Sequence, residues 1–487
     1  MKKRIAKITV LLLCGIICMS AIWSALSFKY GDGILGMKYL YQQRENSVDV
    51  LVLGSSHAFE DVNTEILYDE YGIAAYVLAG SVQPLWNTYY YLKEALKTQK
   101  PKLVVIEGFM TSQDFEYSDN SRIIKNCLGI RDIRNRIDAL KVSVPEGQIM
   151  DYLLDYRLWH SRYTELGADD FRQYYDVPKY RYYKGFGMNF DMNSQEEPDV
   201  DKAAYQKSKP VIAKEEEYYR KTVELCQEQK IPVMTVISPY PLSAEEQQKH
   251  NYLKKVSDEY GISFVNFNSS DLYRRMELDF NSDFSDSDHL NYQGNEKYTR
   301  VLAGYMLEEA ELPDRRGDPA YTSWSMHSKD VEERKRDEIQ IRTMTDVSEL
   351  TSELVTADDL SLLIYPLNQT VELEASAGLF KKAGMKPGDI QDGQLYHYRD
   401  GAITRLSDGT QNWKESDTRY ARLINLTSSE GDGTNTTARA SIKVNNQEYI
   451  SDQTGWYVLI QNEYTGNFVG VIHIALGADG TIQCIWE

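Results

Sequence analysis

The chain has 487 residues, a formal net charge of −19 and five cysteines. That length exceeds the roughly 250–300 residues at which single cores stop growing, so two or three domains are expected. The acidic balance, with no basic cluster after the first residues, excludes a nucleic-acid partner that would need Lys and Arg to replace phosphate counterions. The absence of a CxxC or a Cys/His cluster indicates neither a zinc site nor a dense disulfide framework.

Lys2, Lys3, Arg4 and Lys7 precede an uncharged run from Ile8 to Phe28, closed by Lys29. About 20 apolar residues cross a bilayer, and positive charge before them holds the N-terminus in the cytoplasm. Residues 1–29 therefore read as a membrane signal-anchor, with Trp23 as an interfacial residue. The alternative is a signal peptide cleaved near Ala25-Leu26-Ser27. Either reading exports the body of the protein.

From about residue 45 to 312, short apolar runs alternate with amphipathic stretches. Strands are expected at Val48–Leu53, Ala74–Leu78, Leu103–Ile106, Ile231–Ile237 and Gly261–Asn266, and helices at Trp86–Lys97, Ala213–Gln229 and Ala244–Tyr260. Near-continuous hydrophobic strands separated by helices predict an α/β domain with a parallel sheet covered on both faces. The pattern breaks over 112–209, too long for an ordinary connection, so this insertion is expected to be partly helical and to serve as a lid. A dense mixed-charge run, Ser328–Glu338, marks 313–344 as a solvated helix or linker. Beyond it, 345–487 carries strand-like runs such as Leu362–Tyr365, Thr370–Glu374, Ala440–Val444 and Trp456–Gln461, with turn pairs Asp400-Gly401, Asp408-Gly409 and Asp479-Gly480. This predicts a separate β-rich domain, a sandwich. The 36 tyrosines suit contact with sugars or, more plainly, half-buried packing.

Two stretches carry chemistry. The first strand runs into Gly54-Ser55-Ser56-His57, where small residues permit a sharp strand-to-helix turn. Such a turn puts Ser56 at the C-terminal edge of the sheet, where open α/β sheets bind ligands, and aims the following amides at the same spot. The second is Asp286-Ser-Asp-His289, after the fifth strand. An Asp three residues before a His can accept the imidazole Nδ1–H, leaving Nε2 to take a serine proton. The plain alternative for each is a structural turn and a polar capping loop.

Together the two stretches resemble the SGNH (GDSL-like) hydrolases in chain order and spacing. The resemblance covers about residues 45–310 and implies a flavodoxin-like three-layer domain with Ser56 as nucleophile and Asp286 and His289 completing the triad. It also implies Gly80 as a backbone oxyanion donor. Leu78-Ala-Gly-Ser-Val-Gln-Pro84 and Leu158-Trp-His-Ser-Arg-Tyr163 are similar to the exported DltD-like and alginate-acetylation groups associated with membrane-bound O-acyltransferases. One departure is notable: the Asn of the usual Gly-x-Asn block has no match after strand three, which reads Glu107-Gly-Phe-Met110. Gln83 or Asn87 is the expected replacement, or the donor is missing. His57 is expected either to contact substrate or to cap structure, and His160 and Arg162 are further substrate-contact candidates. Ala440–Val469 resembles an interleukin-like (ILEI-type) β-sandwich module, relatives of which serve as glycan-binding stems.

The resemblance implies transfer or hydrolysis of a short acyl ester, acetyl above all, on a cell-surface polysaccharide, with no metal or organic cofactor. The expected partners are that polysaccharide, a membrane-bound O-acyltransferase and the membrane itself. The competing class is a non-catalytic glycan-binding or scaffold protein that keeps the fold.

Overall fold

The computed structural model describes residues 2–26, 31–153 and 182–357, and beyond these the segments 360–367, 396–399, 402–405, 413–414, 425–428, 440–444, 447–451, 455–462, 468–476 and 482–486. Two compact units separate at Lys329/Asp330.

The first unit is organised by five parallel strands: β1 Val50–Gly54, β2 Ala75–Ala79, β3 Leu103–Glu107, β4 Val233–Ile237 and β5 Ser263–Asn266. They lie in the order β2-β1-β3-β4-β5, the order of a doubly wound sheet that changes direction beside its first strand. Every residue of β1 to β4 is buried, which is why these strands read as unbroken apolar runs rather than alternating ones. β5 is an edge and is partly exposed. The other edge, β2, stays buried because the Val77 amide donates to Lys184 O at 2.9 Å, so a returning segment covers it. That approach needs Gly185: its φ is +84°, and a Cβ there would meet Val77 O at 1.6 Å.

The helices are α1 Lys2–Leu26, α2 Gly36–Leu40, α3 Ser56–Asp61, α4 Thr64–Asp69, α5 Leu85–Ala95, α6 Asn120–Cys127, α7 Ile133–Ser143, α8 Ile149–Leu153, α9 Ala213–Glu228, α10 Ala244–Tyr260, α11 Ser270–Met276, α12 Tyr292–Glu309, α13 Thr322–Lys335 and α14 Val347–Thr356. α3 and α4 pack with α12, whereas α5 packs with α7 and α9, and α9 with α10. The first unit is thus a parallel sheet with helices between its strands, an α/β arrangement. Among the described residues no helix is long and apolar enough to cross a membrane; several side chains of α1 lie outside that set.

Within the insertion, α7 packs against α5, α6 and α8, and residues 154–181, including His160 and Arg162, lie outside the described residues. The returning arm is irregular but tied down. Gly187 donates to Phe59 O at 2.8 Å, Asn189 O accepts from the Tyr292 amide at 2.8 Å, and Asn193 donates to Phe284 O at 2.8 Å. This arm therefore bridges α3 and the loop before α12.

Of the two expectations for the charged stretch near 328–338, a helix or a linker, the structure shows a helix, but not one solvated all round. It lies largely on α13 and just beyond, where Trp324, His327, Val331, Asp330 and Asp337 are all buried. Trp324 Nε1 donates to Ala75 O at 3.1 Å. Counting charge alone hides this, because Asp330 is paired with Arg334 and Asp337 with Arg336.

In the second unit, β6 Leu360–Leu367, β7 Tyr396–Arg399, β8 Ala402–Arg405, β13 Gly455–Asn462, β14 Phe468–Leu476 and β15 Ile482–Trp486 form one sheet, ordered β15-β14-β13-β6-β7-β8. β9 Trp413–Lys414, β10 Asn425–Ser428, β11 Ala440–Val444 and β12 Gln447–Ser451 form another. All of these pairings are antiparallel. Its core gathers Ile341, Leu350 and Leu354 against Leu362, Ile364, Trp456, Val458 and Ile472. The expected strand Thr370–Glu374 and the three Asp-Gly turn pairs lie outside the described residues.

Candidate active site

β1 ends at Gly54, where a Cβ would stand 2.7 Å from Glu107 Cβ and 3.1 Å from Ala58 Cβ. Only glycine lets strand, turn and helix come this close. Ser55 is extended, with φ −99° and ψ −154°, and α3 begins at Ser56. Ser56 is thereby set at the C-terminal edge of the sheet, partly exposed.

The other half of the site is a loop held at its base. Phe284 and Leu290 form an antiparallel bridge, and the Ser285 amide donates to His289 O at 2.9 Å. Below it, Asn291 caps α12 by accepting from the amides of Gln293 and Gly294, and its side-chain amide donates to Ser282 O at 2.7 Å. Asp61, at the end of α3, accepts from the Leu290 amide at 3.0 Å. The helix that carries Ser56 is thus pinned to the loop that carries His289.

His289 Nε2 lies 2.7 Å from Ser56 Oγ. Its Nδ1 lies 3.0 and 2.9 Å from the two carboxylate oxygens of Asp286. Asp286 Oδ1 also accepts from the amides of Asp288 and His289, each at 2.8 Å. Burial by itself would raise the Asp286 carboxyl, but these amides and the His289 ring hold it below the usual carboxylate range. An ionised Asp286 only accepts, so Nδ1 carries the ring proton and Nε2 presents a lone pair to the serine hydroxyl. Chemically, this is a hydroxyl beside an oriented base.

His57 is fully buried, so it does not face solvent as a substrate contact would. Its ring stacks on Phe109 at 3.7 Å between centroids, stands edge-on to Tyr240 at 5.4 Å and lies 4.7 Å from the His289 ring. Burial first, and then the neighbouring His289, holds it well below the ordinary imidazole range, against a weak opposing pull from the Asp288 backbone. Gly80 follows β2, and a Cβ there would meet Asn126 Oδ1 at 2.2 Å; the loop is drawn toward α6. Gln83 and Asn87 do not stand in for the missing Asn. Gln83 Nε2 donates to Thr88 Oγ1 at 3.1 Å, and Asn87 Nδ2 donates to Ser143 Oγ at 3.1 Å and to Cys127 Sγ at 3.3 Å. Both are buried; Gln83 spends its donor within the β2–α5 connection and Asn87 on holding the insertion.

Sequence reasoning passed over three acids. Glu60, one turn beyond Ser56, is raised by burial, while His289 and the Asn189 side chain pull the other way. Asp61 is fully buried and held well above the carboxylate range. Glu107 is fully buried and pushed up to about 8 by desolvation. A signal existed for the last: Leu103-Val-Val-Ile-Glu107 ends an apolar run with a charge at the ligand-binding edge.

A protein-family model without a functional description matches residues 142–311, about a third of the chain. No curated protein matches the sequence. Among solved structures, the chain is similar to a "putative acylhydrolase" from Bacteroides fragilis, at 11% identity and a TM-score of 0.29, over 57% of this chain and 100% of that one.

Proposed function

We propose that the chain is a serine acyltransferase or esterase of the SGNH type on a flavodoxin-like sheet. Ser56 Oγ attacks an acyl carbonyl as its proton passes to His289 Nε2, while Asp286 orients the ring and stabilises the imidazolium. Collapse of the tetrahedral adduct returns that proton to the departing alkoxide and leaves acyl-Ser56. A sugar hydroxyl or water, deprotonated by His289, then takes the acyl group. The observation that carries this reading is the contact of Ser56 Oγ with His289 Nε2 at 2.7 Å, with Asp286 on the far nitrogen.

The acceptor in this reading is a cell-surface polysaccharide, the acyl group acetyl, and the upstream partner a membrane-bound O-acyltransferase. Export and anchoring through α1 rest on its flanking basic residues, its 25-residue length and the exposure of Leu13, Ile16, Ile17, Met19 and Ile22, each more than half exposed. The second unit, as a sandwich, would bind polymer.

Incubation of the purified protein with a fluorophosphonate tests the chemistry: a single adduct on Ser56 is expected, and none in Ser56→Ala. A folded wild-type protein that stays unlabelled would favour the second reading, a non-catalytic glycan-binding protein. That reading is supported by the engagement of the Gln83 and Asn87 amides elsewhere. With an acetyl ester as donor, acetylated oligosaccharide against free acetate separates transferase from esterase.

A further inference from the structure

Glu107 closes β3 in the middle of the sheet, and donors from neighbouring turns converge on its carboxyl group. Oε1 accepts from the Phe109 amide at 2.9 Å, and Oε2 from Ser55 Oγ at 3.4 Å. The amides of Ser55 and Ser238 also favour its charged form. Ser55 immediately precedes the nucleophile. Phe109 carries the ring on which His57 stacks, and His57 in turn lies against His289. One buried carboxyl group is therefore tied to both halves of the site. The charged and titratable groups facing it are Asp61 from α3, Tyr240 from the loop after β4 and Tyr298 from α12.

We propose that Glu107 is a positioning residue for the acyl-transfer site, fixing the Ser55–Ser56 turn and, through Phe109 and His57, the ring of His289. It touches no substrate. Converging donors suit a carboxylate, since a protonated carboxyl group must turn one oxygen into a donor. Full burial pulls the other way and places its titration at about 8. The turn is thus held most firmly when Glu107 is ionised, and reactivity of Ser56 rises through that ionisation. This inference rests on the function proposed above.

The test is the second-order rate of Ser56 labelling by a fluorophosphonate across pH 5.5–10. Glu107→Gln places an NH2 among donors and is expected to slow labelling by about 10- to 100-fold; the ionisation near pH 8 should vanish from its profile. Glu107→Asp should recover part of the rate and keep an alkaline ionisation. Ser55→Ala removes one donor while leaving the buried acid in place, so it should slow labelling several-fold and move the ionisation upward without loss of fold. Wild-type rate and profile in Glu107→Gln would overturn the proposal. If that variant does not fold, wild-type behaviour in both Glu107→Asp and Ser55→Ala would overturn it equally. An unlabelled wild-type protein instead sinks the functional reading itself and this inference with it.

Discussion

Replacing Asp286 by Asn changes one atom and should disable the base. Asn Oδ1 can keep the two amide bonds from Asp288 and His289, both 2.8 Å in the wild type. The remaining NH2 then faces His289 Nδ1, donor against donor, at the position where Asp286 Oδ2 sits 2.9 Å away. The ring escapes by moving its proton to Nε2, which directs an N–H rather than a lone pair at Ser56 Oγ. The penalty for this wrong tautomer is on the order of 10⁴ in rate, about 5.5 kcal/mol of transition-state stabilisation. Stability should hardly move, because the Asp286 side chain is 51% exposed and the loop base at Phe284 and Leu290 is untouched; a change within ~1 kcal/mol is expected. Hydrolysis of a chromogenic acetyl ester and a thermal melt measure the two quantities on one preparation. More than a tenth of wild-type turnover in a folded Asp286→Asn protein would refute the assignment of Asp286.

Four further outcomes follow from the structure. Gly54→Ala puts a Cβ 2.7 Å from Glu107 Cβ, so it should cost about 1–3 kcal/mol in a denaturant melt and slow Ser56 labelling. Trp324→Ala removes a buried ring, its bond to Ala75 O and the face beneath Lys184 Nζ, 3.9 Å away; a loss of about 3–5 kcal/mol is expected, against almost none if this stretch were a solvated linker. Glu215, fully buried, is pushed up to about 8 by desolvation. Its contribution is complete below an unfolded value near 4.5 and is withdrawn as pH rises through about 8, so Glu215→Gln should gain on wild type in melts between pH 6 and 9. Lys184, lowered to about 7 by burial, has the opposite sign: its contribution is complete only above about 10.5 and falls away as pH drops through 7, so Lys184→Met should gain on wild type toward acid.

The parallel sheet was legible in the sequence because burial on both faces leaves no room for polar alternation. Val50–Leu53, Leu103–Ile106 and Val233–Ile237 announce themselves by composition, and the helix Ala244–Tyr260 lies between two such runs; its caps, Ser243 with Glu246 at one end and left-handed Gly261 at the other, are seen in the structure. Ser56, Asp286 and His289 could be singled out because each sits where local geometry constrains residue choice, at a tight turn and in a short capped loop. That Ser56 meets His289 across 233 residues is a tertiary fact. So is the burial of His57, which next to a serine reads as a substrate contact and in the fold becomes packing behind the base. Local patterns record what a residue's immediate backbone requires. They do not record which distant surface comes to rest on it, and for that reason Asp61, the donors gathered around Glu107 and the buried side of the charged helix emerged only from the folded chain.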